Sequence, residues 1–219
     1  MSRSQFVRFR HMIPLLVVVA TALGCSNTDG EPSADHSSHS TDADAGSGDI
    51  EGLEVKDYPA GKHVEPTQRV AYDESPPFGG PHDQVWAACT GIVYPEAIRT
   101  ENIVHSLEHG AVWIAYNPDD VSGSDLESLA GRVDGTPYTL LSPYPDLDAP
   151  ISLQAWGRRL KLDNADDPRI DAFIEEFRMN RETAPEPGAS CAAYPGAFDP
   201  DNPPPFDSSP LPADAVPVG

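Results

Sequence analysis

Positive charge is what this sequence has least of: 14 Lys and Arg stand against 35 Asp and Glu, a formal net charge of -21 at pH 7. Such a surface repels a polyanion from every side. With no basic stripe interleaved with aromatics anywhere in the chain, nucleic acid is excluded as a partner. Long apolar runs are missing too. The best, "MIPLLVVVATALG" (12–24), falls short of the roughly 20 residues a bilayer core requires. Cysteine is sparse, at three, and there is no internal repeat.

What precedes that apolar run gives it a meaning. Arg3, Arg8, Arg10 and His11 lead into it and Gly24-Cys25 closes it, the layout of a secretory signal with processing just before Cys25. It resembles the lipobox of bacterial lipoproteins at Gly24 and Cys25. It departs at Ala22 and Leu23, where that family prefers an aliphatic and then a small residue. The expectation is a signal peptide over 1–24, a Cys25 lipidated and held in the membrane, and a domain on the extracytoplasmic face of the cell envelope. If Cys25 is not acylated, the domain is secreted.

Residues 25–54 follow as a tether, "SNTDGEPSADHSSHSTDADAGSGDIEG" holding almost no apolar side chain to offset the entropy of ordering. His36 and His39 lie in it and read as spacer residues. Cys89 and Cys191, about a hundred residues apart, form an even pair in an exported chain, which is the signature of an intramolecular disulfide. Closing such a loop adds roughly 3 to 4 kcal/mol. The competing role, a Cys89 thiolate as ligand or nucleophile, needs a reducing or protected setting.

Between the ends, over 55–183, the pattern is that of one compact α+β domain with a small mixed or antiparallel sheet and two to three helices. "RVAY" reads as a short strand, and "DESPPFGGPHD" as a loop fixed by its Pro and Gly. "TENIVHSLEH" reads as a short helix capped by Thr100 and ended by Gly110, and "AVWIAY" as a buried strand. "DDVSGSDLESLAGRV" offers a helix with Gly131 as its stop. "YTLLSPY" and "ISLQAWGRRLKL" read as two strands. "DDPRIDAFIEEFRMN" is the best helix, with Asp167 as cap, Pro168 opening it, and Ile170, Phe173, Ile174 and Phe177 as its apolar stripe. Residues 184–219 are a Pro-rich extended tail, pinned at Cys191 and loose beyond about 206.

The chemistry gathers at "HSLEHG". On a helix, His105 and His109 are four apart and Glu108 three from His105, so all three point the same way. Neutral imidazoles ligate zinc or copper, and a carboxylate beside them serves as ligand, orienter or general base. The spacing is also the H-x-x-E-H of inverzincin proteases. That mechanism, however, needs the helix to continue past the second His and a distant Glu, for which Glu175 or Glu176 would have to serve. Gly110 ends the helix too soon.

His82, delivered by the rigid "PPFGGPH" loop, adds a third imidazole, with Asp83 or Glu108 nearby. The expected metal ligands are therefore His82, His105, His109 and Glu108, around one copper or zinc ion. Met179 near the site would favour copper. Two other readings stay open. In one, a metal-dependent hydrolase uses Glu108 to activate water; in the other, a non-metal hydrogen-bond network has His82 capping a turn and Glu108 paired with Arg99 or Arg132.

Taken in order, "YDESPPFGGPH", "WAACTGIVY" and "VHSLEHGAVWIAY" closely resemble the bacterial domain of unknown function 3105 family. The matching residues are Tyr72, Pro76, Pro77, Gly80, His82, Tyr94, His105, Glu108, His109, Gly110 and Tyr116. Phe78-Gly79 departs, standing where the family often has a small hydroxyl residue. The resemblance, over about 65–183, implies an exported, usually membrane-tethered domain and supplies no activity.

Overall fold

The computed structural model describes residues 50–219. The signal segment, Cys25, His36, His39 and nearly all of the tether lie outside the described residues. Short strands come first: β1 (Glu54–Val55), β2 (His63–Val64), β3 (Val70–Ala71), β4 (His82–Asp83) and β5 (Thr90–Val93). Helix α1 (Thr100–Glu108) leads into β6 (Val112–Tyr116), and α2 (Ser124–Val133) into β7 (Thr139–Pro143). Then come β8 (Ile151–Ala155), β9 (Arg158–Leu162), α3 (Arg169–Phe177) and, near the end of the chain, β10 (Val216–Pro217).

Six strands form one mixed sheet in the order β1-β9-β8-β6-β7-β5, and two small pairs, β10-β3 and β2-β4, lie beside it. β6 is parallel to β7 and antiparallel to β8, which places it at the centre. Its period-2 alternation divides the core. Ala111, Trp113 and Ala115 face the cluster that holds Ile103, Val104 and Leu107 of α1. Val112, Ile114 and Tyr116 face the cluster that holds α2 and α3. So α1 covers one face of the sheet, and α2 and α3 the other. On α3, Ile170, Phe173 and Phe177 are fully buried on one stripe, and side chains of this size contribute about 1.5–3 kcal/mol each.

The end of α1 is set by three backbone bonds. The C-cap His109 N–H donates to the His105 carbonyl (3.3 Å), Gly110 N–H to that of Leu107 (3.0 Å), and Ala111 N–H to that of Ser106 (3.0 Å), the last two forming a pair. That pair of bonds closes the last turn and needs a left-handed residue, which Gly110 supplies at φ +92°. The chain then turns straight into β6.

Cys89 and Cys191 are joined in a disulfide. Bonds of this kind belong to oxidising, extracytoplasmic settings. No helix among the described residues is long and apolar enough to cross a membrane.

Several expectations change. "ISLQAWGRRLKL" is a hairpin of two strands, β8 and β9, because Gly157 turns the chain at φ +69°. Gly131 does not stop α2, which runs on to bury Val133 completely. Thr100 and Pro168 each sit one position from their expected place, with Arg99 and Pro168 as the N-caps of α1 and α3. The ordered core begins before residue 55, since Ile50 and Leu53 pack on the α3 side.

The tail is extended but not loose beyond 206. Phe206 N–H donates to the Ala97 carbonyl (3.1 Å), Arg69 holds the Ser209 carbonyl (2.9 Å), and Val216 pairs with Val70 in parallel register. Proline removes donors but leaves its carbonyls, and the Pro204 oxygen accepts from Arg99 N–H (2.7 Å).

Candidate metal centre

Three pieces of chain meet above the α1 face. The "PPFGGPHD" loop is buried over residues 76–83, unusual for a connection. A Cβ on Gly79 would stand 2.3 Å from the Tyr58 ring, so only glycine lets that ring close over the loop. The loop delivers His82 into β4. There β2 pairs with it in parallel, setting His63 opposite His82, with His82 N–H donating to the Lys62 carbonyl (2.9 Å). α1 packs on β4 and brings His105 and Glu108 from one of its faces. One donor atom from each of His63, His82, His105 and Glu108 lies within 4.8 Å of all the others.

Hydrogen bonds fix which atoms face the centre. His82 Nδ1 lies 2.8 Å from the Gly80 carbonyl and His105 Nδ1 2.7 Å from that of Asp83. A carbonyl only accepts, so each Nδ1 carries a proton, and in the neutral ring each Nε2 then turns its lone pair to the centre. Glu108 Oε1 accepts the Gly61 N–H at 2.6 Å, which turns Oε2 inward. There it stands 2.9 Å from His82 Nε2, with the two side chains 1% and 0% exposed. Despite that separation neither atom has a hydrogen-bond partner. Two lone-pair-bearing atoms this close repel each other unless a positive charge lies between them, either a proton on the imidazole or a metal ion.

The ionisation states agree. Burial pushes the His105 imidazolium down from 6.5 to about 3, with His82 and His109 adding to the shift. Burial alone would raise the Glu108 carboxyl, but a positive charge at the facing His82 and the Gly61 N–H together hold it below its ordinary value. At neutral pH the site presents a neutral His105 and a carboxylate, the forms that ligate metal.

A family model described as "Protein of unknown function (DUF3105)" matches residues 63–193. The chain belongs to this family. No curated protein and no solved structure matches it. The DUF3105 segment begins at His63 and ends just past Cys191, so it contains all four clustered side chains and the disulfide.

Within the DUF3105 domain the other expected groups find different places. His109 is buried beside the cluster, its ring centre 4.5 Å from that of His105. Its Nδ1 donates to the Ser190 carbonyl (2.8 Å) and its Nε2 faces Glu186 Oε2 at 3.7 Å. Asp83 contributes its backbone carbonyl to His105, while its carboxylate pairs with Arg99. Arg132 pairs with Asp171 (2.8 Å), so neither arginine reaches Glu108.

Glu175 and Glu176 ride on α3, which covers the opposite face of the sheet. Met179 is exposed, with its backbone against Gly110. The residue that sequence reasoning missed is His63. It is a lone His in "AGKHVE", with no motif or periodicity around it; only the two-residue pairing with β4 brings it in.

Proposed function

We propose that this DUF3105 domain binds one copper or zinc ion through His63, His82, His105 and Glu108. The observation that carries the reading is the pair His82 Nε2 and Glu108 Oε2, buried, 2.9 Å apart and each without a hydrogen-bond partner. Three imidazoles and a carboxylate suit copper and zinc alike, and one negative charge among the ligands complements a cation. Donors on a tetrahedral zinc at 2.0–2.1 Å stand about 3.3 Å apart, so closing on an ion takes small side-chain rotations. His109 supports His105 from behind.

Glu108 acts as a ligand rather than as a base, because Gly61 already occupies one carboxylate oxygen and the other faces His82. A purely structural network draws on the Nδ1 bonds that knit the loop to α1. It needs a proton on His82 Nε2 to join the two facing atoms, the place a metal ion takes in the reading proposed.

The location we propose is the extracytoplasmic face of a membrane, with residues 1–24 removed, Cys25 lipidated and 25–54 as the tether. The disulfide supports the compartment. Membrane fractionation tests the anchor: Cys25→Ser should move the protein from membrane to soluble fraction, and unchanged partitioning would refute it.

Metal uptake tests the site. Tag-free protein incubated with micromolar copper or zinc and desalted should retain one ion per chain, and His105→Ala should retain none. Wild-type protein that takes up neither ion would end the proposal.

A further inference from the structure

The four side chains of the cluster are not held alike. His82, His105 and Glu108 are buried, and each is fixed by a hydrogen bond to backbone: to the Gly80 carbonyl, to the Asp83 carbonyl and from the Gly61 N–H. His63 is exposed, and its ring makes no hydrogen bond to another described residue. It reaches the group on a strand of two residues, with its ring centre 4.9 Å from that of His82 and 5.2 Å from that of His105.

The remaining sides are walled. Trp156 stands against His82 at 5.8 Å, and Trp86 against His105 at 5.7 Å and against His109 at 5.1 Å. The segment around Glu186–Ser190 closes the end of α1, with Glu186 N–H on the Glu108 carbonyl (2.9 Å) and Gly188 N–H on that of His109 (3.0 Å). Of the four ligands, His63 alone meets solvent.

A structural metal centre is closed on all sides by protein ligands, whereas a centre at which ligands exchange keeps a position open to solvent. Three anchored ligands with one unanchored ligand at the rim is the arrangement of a centre that gives its ion up. On the metal reading above, we infer that His63 is the exchangeable ligand. The domain hands its ion to an acceptor offering nitrogen donors, by replacement of His63 at the rim. In that step the bond from the ion to the His63 imidazole nitrogen breaks as a bond to an acceptor nitrogen forms. The lone pair returns to His63, and the oxidation state of the ion does not change. The buried three release it afterwards. The acceptor never has to enter the core, because its first donor takes a place already at the surface.

The test is zinc transfer from the full-length protein to the chromophoric chelator 4-(2-pyridylazo)resorcinol, followed by stopped flow. The wild-type rate should rise linearly with chelator concentration. His63→Ala should still hold one zinc per chain and surrender it faster by about tenfold or more, since loss of a direct ligand weakens the site at least as much as loss of an outer partner. His63→Gln serves as the second variant should alanine disturb β2.

A wild-type rate independent of chelator concentration would overturn the handover. So would His63 variants that transfer at the wild-type rate, or that hold no zinc. Wild-type protein that holds no zinc would instead remove the metal reading on which the inference rests.

Discussion

His82 Nε2 lies 2.9 Å from Glu108 Oε2 in the interior of the protein, and neither atom has a hydrogen-bond partner. The Gly80 carbonyl fixes the tautomer of His82 and the Gly61 N–H fixes the rotation of Glu108, so neither side chain can turn away without breaking a bond. Backbone therefore holds the two facing atoms together from both sides.

Glu108→Gln separates metal from structure. The amide NH₂ would donate to His82 Nε2 while its oxygen keeps the Gly61 bond. In metal-free protein this should raise unfolding stability by about 1 kcal/mol, the net worth of one hydrogen bond. Metal affinity should fall by 10-fold or more, roughly. Chemical denaturation and metal titration of the same preparation check both. A variant that loses stability and keeps its affinity would contradict this account of the pair.

The disulfide supports the site from behind. Cys191 is bonded to Cys89, Cys89 N–H donates to its carbonyl (2.9 Å), and the neighbouring Ser190 carbonyl holds His109. Replacing both cysteines with serine should cost about 3–4 kcal/mol and also weaken metal binding, because the segment over α1 is freed. Calorimetry and metal titration read the two effects. Unchanged affinity would show that the segment is not part of the site's support.

Stability should fall on acidification, first through the histidines. His105 titrates at about 3 in the folded protein against 6.5 for an ordinary imidazole, mainly because of burial. The unfolded chain binds that proton first. The contribution is therefore complete above pH 6.5 and is lost as pH falls through the window toward about 3. Burial depresses His109 in the same direction. The lowered Glu108 carboxyl extends the loss below its ordinary 4.5. In chelator-treated protein the urea midpoint should be lower at pH 5 than at pH 7.5; an equal or higher midpoint at pH 5 would contradict it.

Gly110→Ala tests the helix end. Its φ of +92° disfavours any side chain, and a Cβ there would lie 3.0 Å from the Met179 Cα. The change should cost more than the roughly 1–2 kcal/mol of a left-handed alanine and lower the melting temperature. A neutral effect would mean that α1 ends differently.

Much of this was legible in local sequence. The three-and-four spacing of His105, Glu108 and His109, the stop at Gly110 and the rigid loop before His82 all act within a few residues, where sequence speaks directly. His63 was not legible, because its place depends on β2 pairing with a strand some twenty residues away, and each strand has only two residues. The β8–β9 turn hid behind Trp156-Gly157, which lacks the usual hairpin dipeptides. The docking of the tail was hidden for a related reason. Composition shows where proline forbids helix and central strand, but not which carbonyls will find donors.

The most direct test is anomalous diffraction at the copper or zinc edge from crystals of metal-loaded protein. One peak in the space bounded by His63, His82, His105 and Glu108, at bonding distance from His82 Nε2 and Glu108 Oε2, is the predicted result. Loaded crystals with no peak there, or with a peak elsewhere on the molecule, would contradict the account.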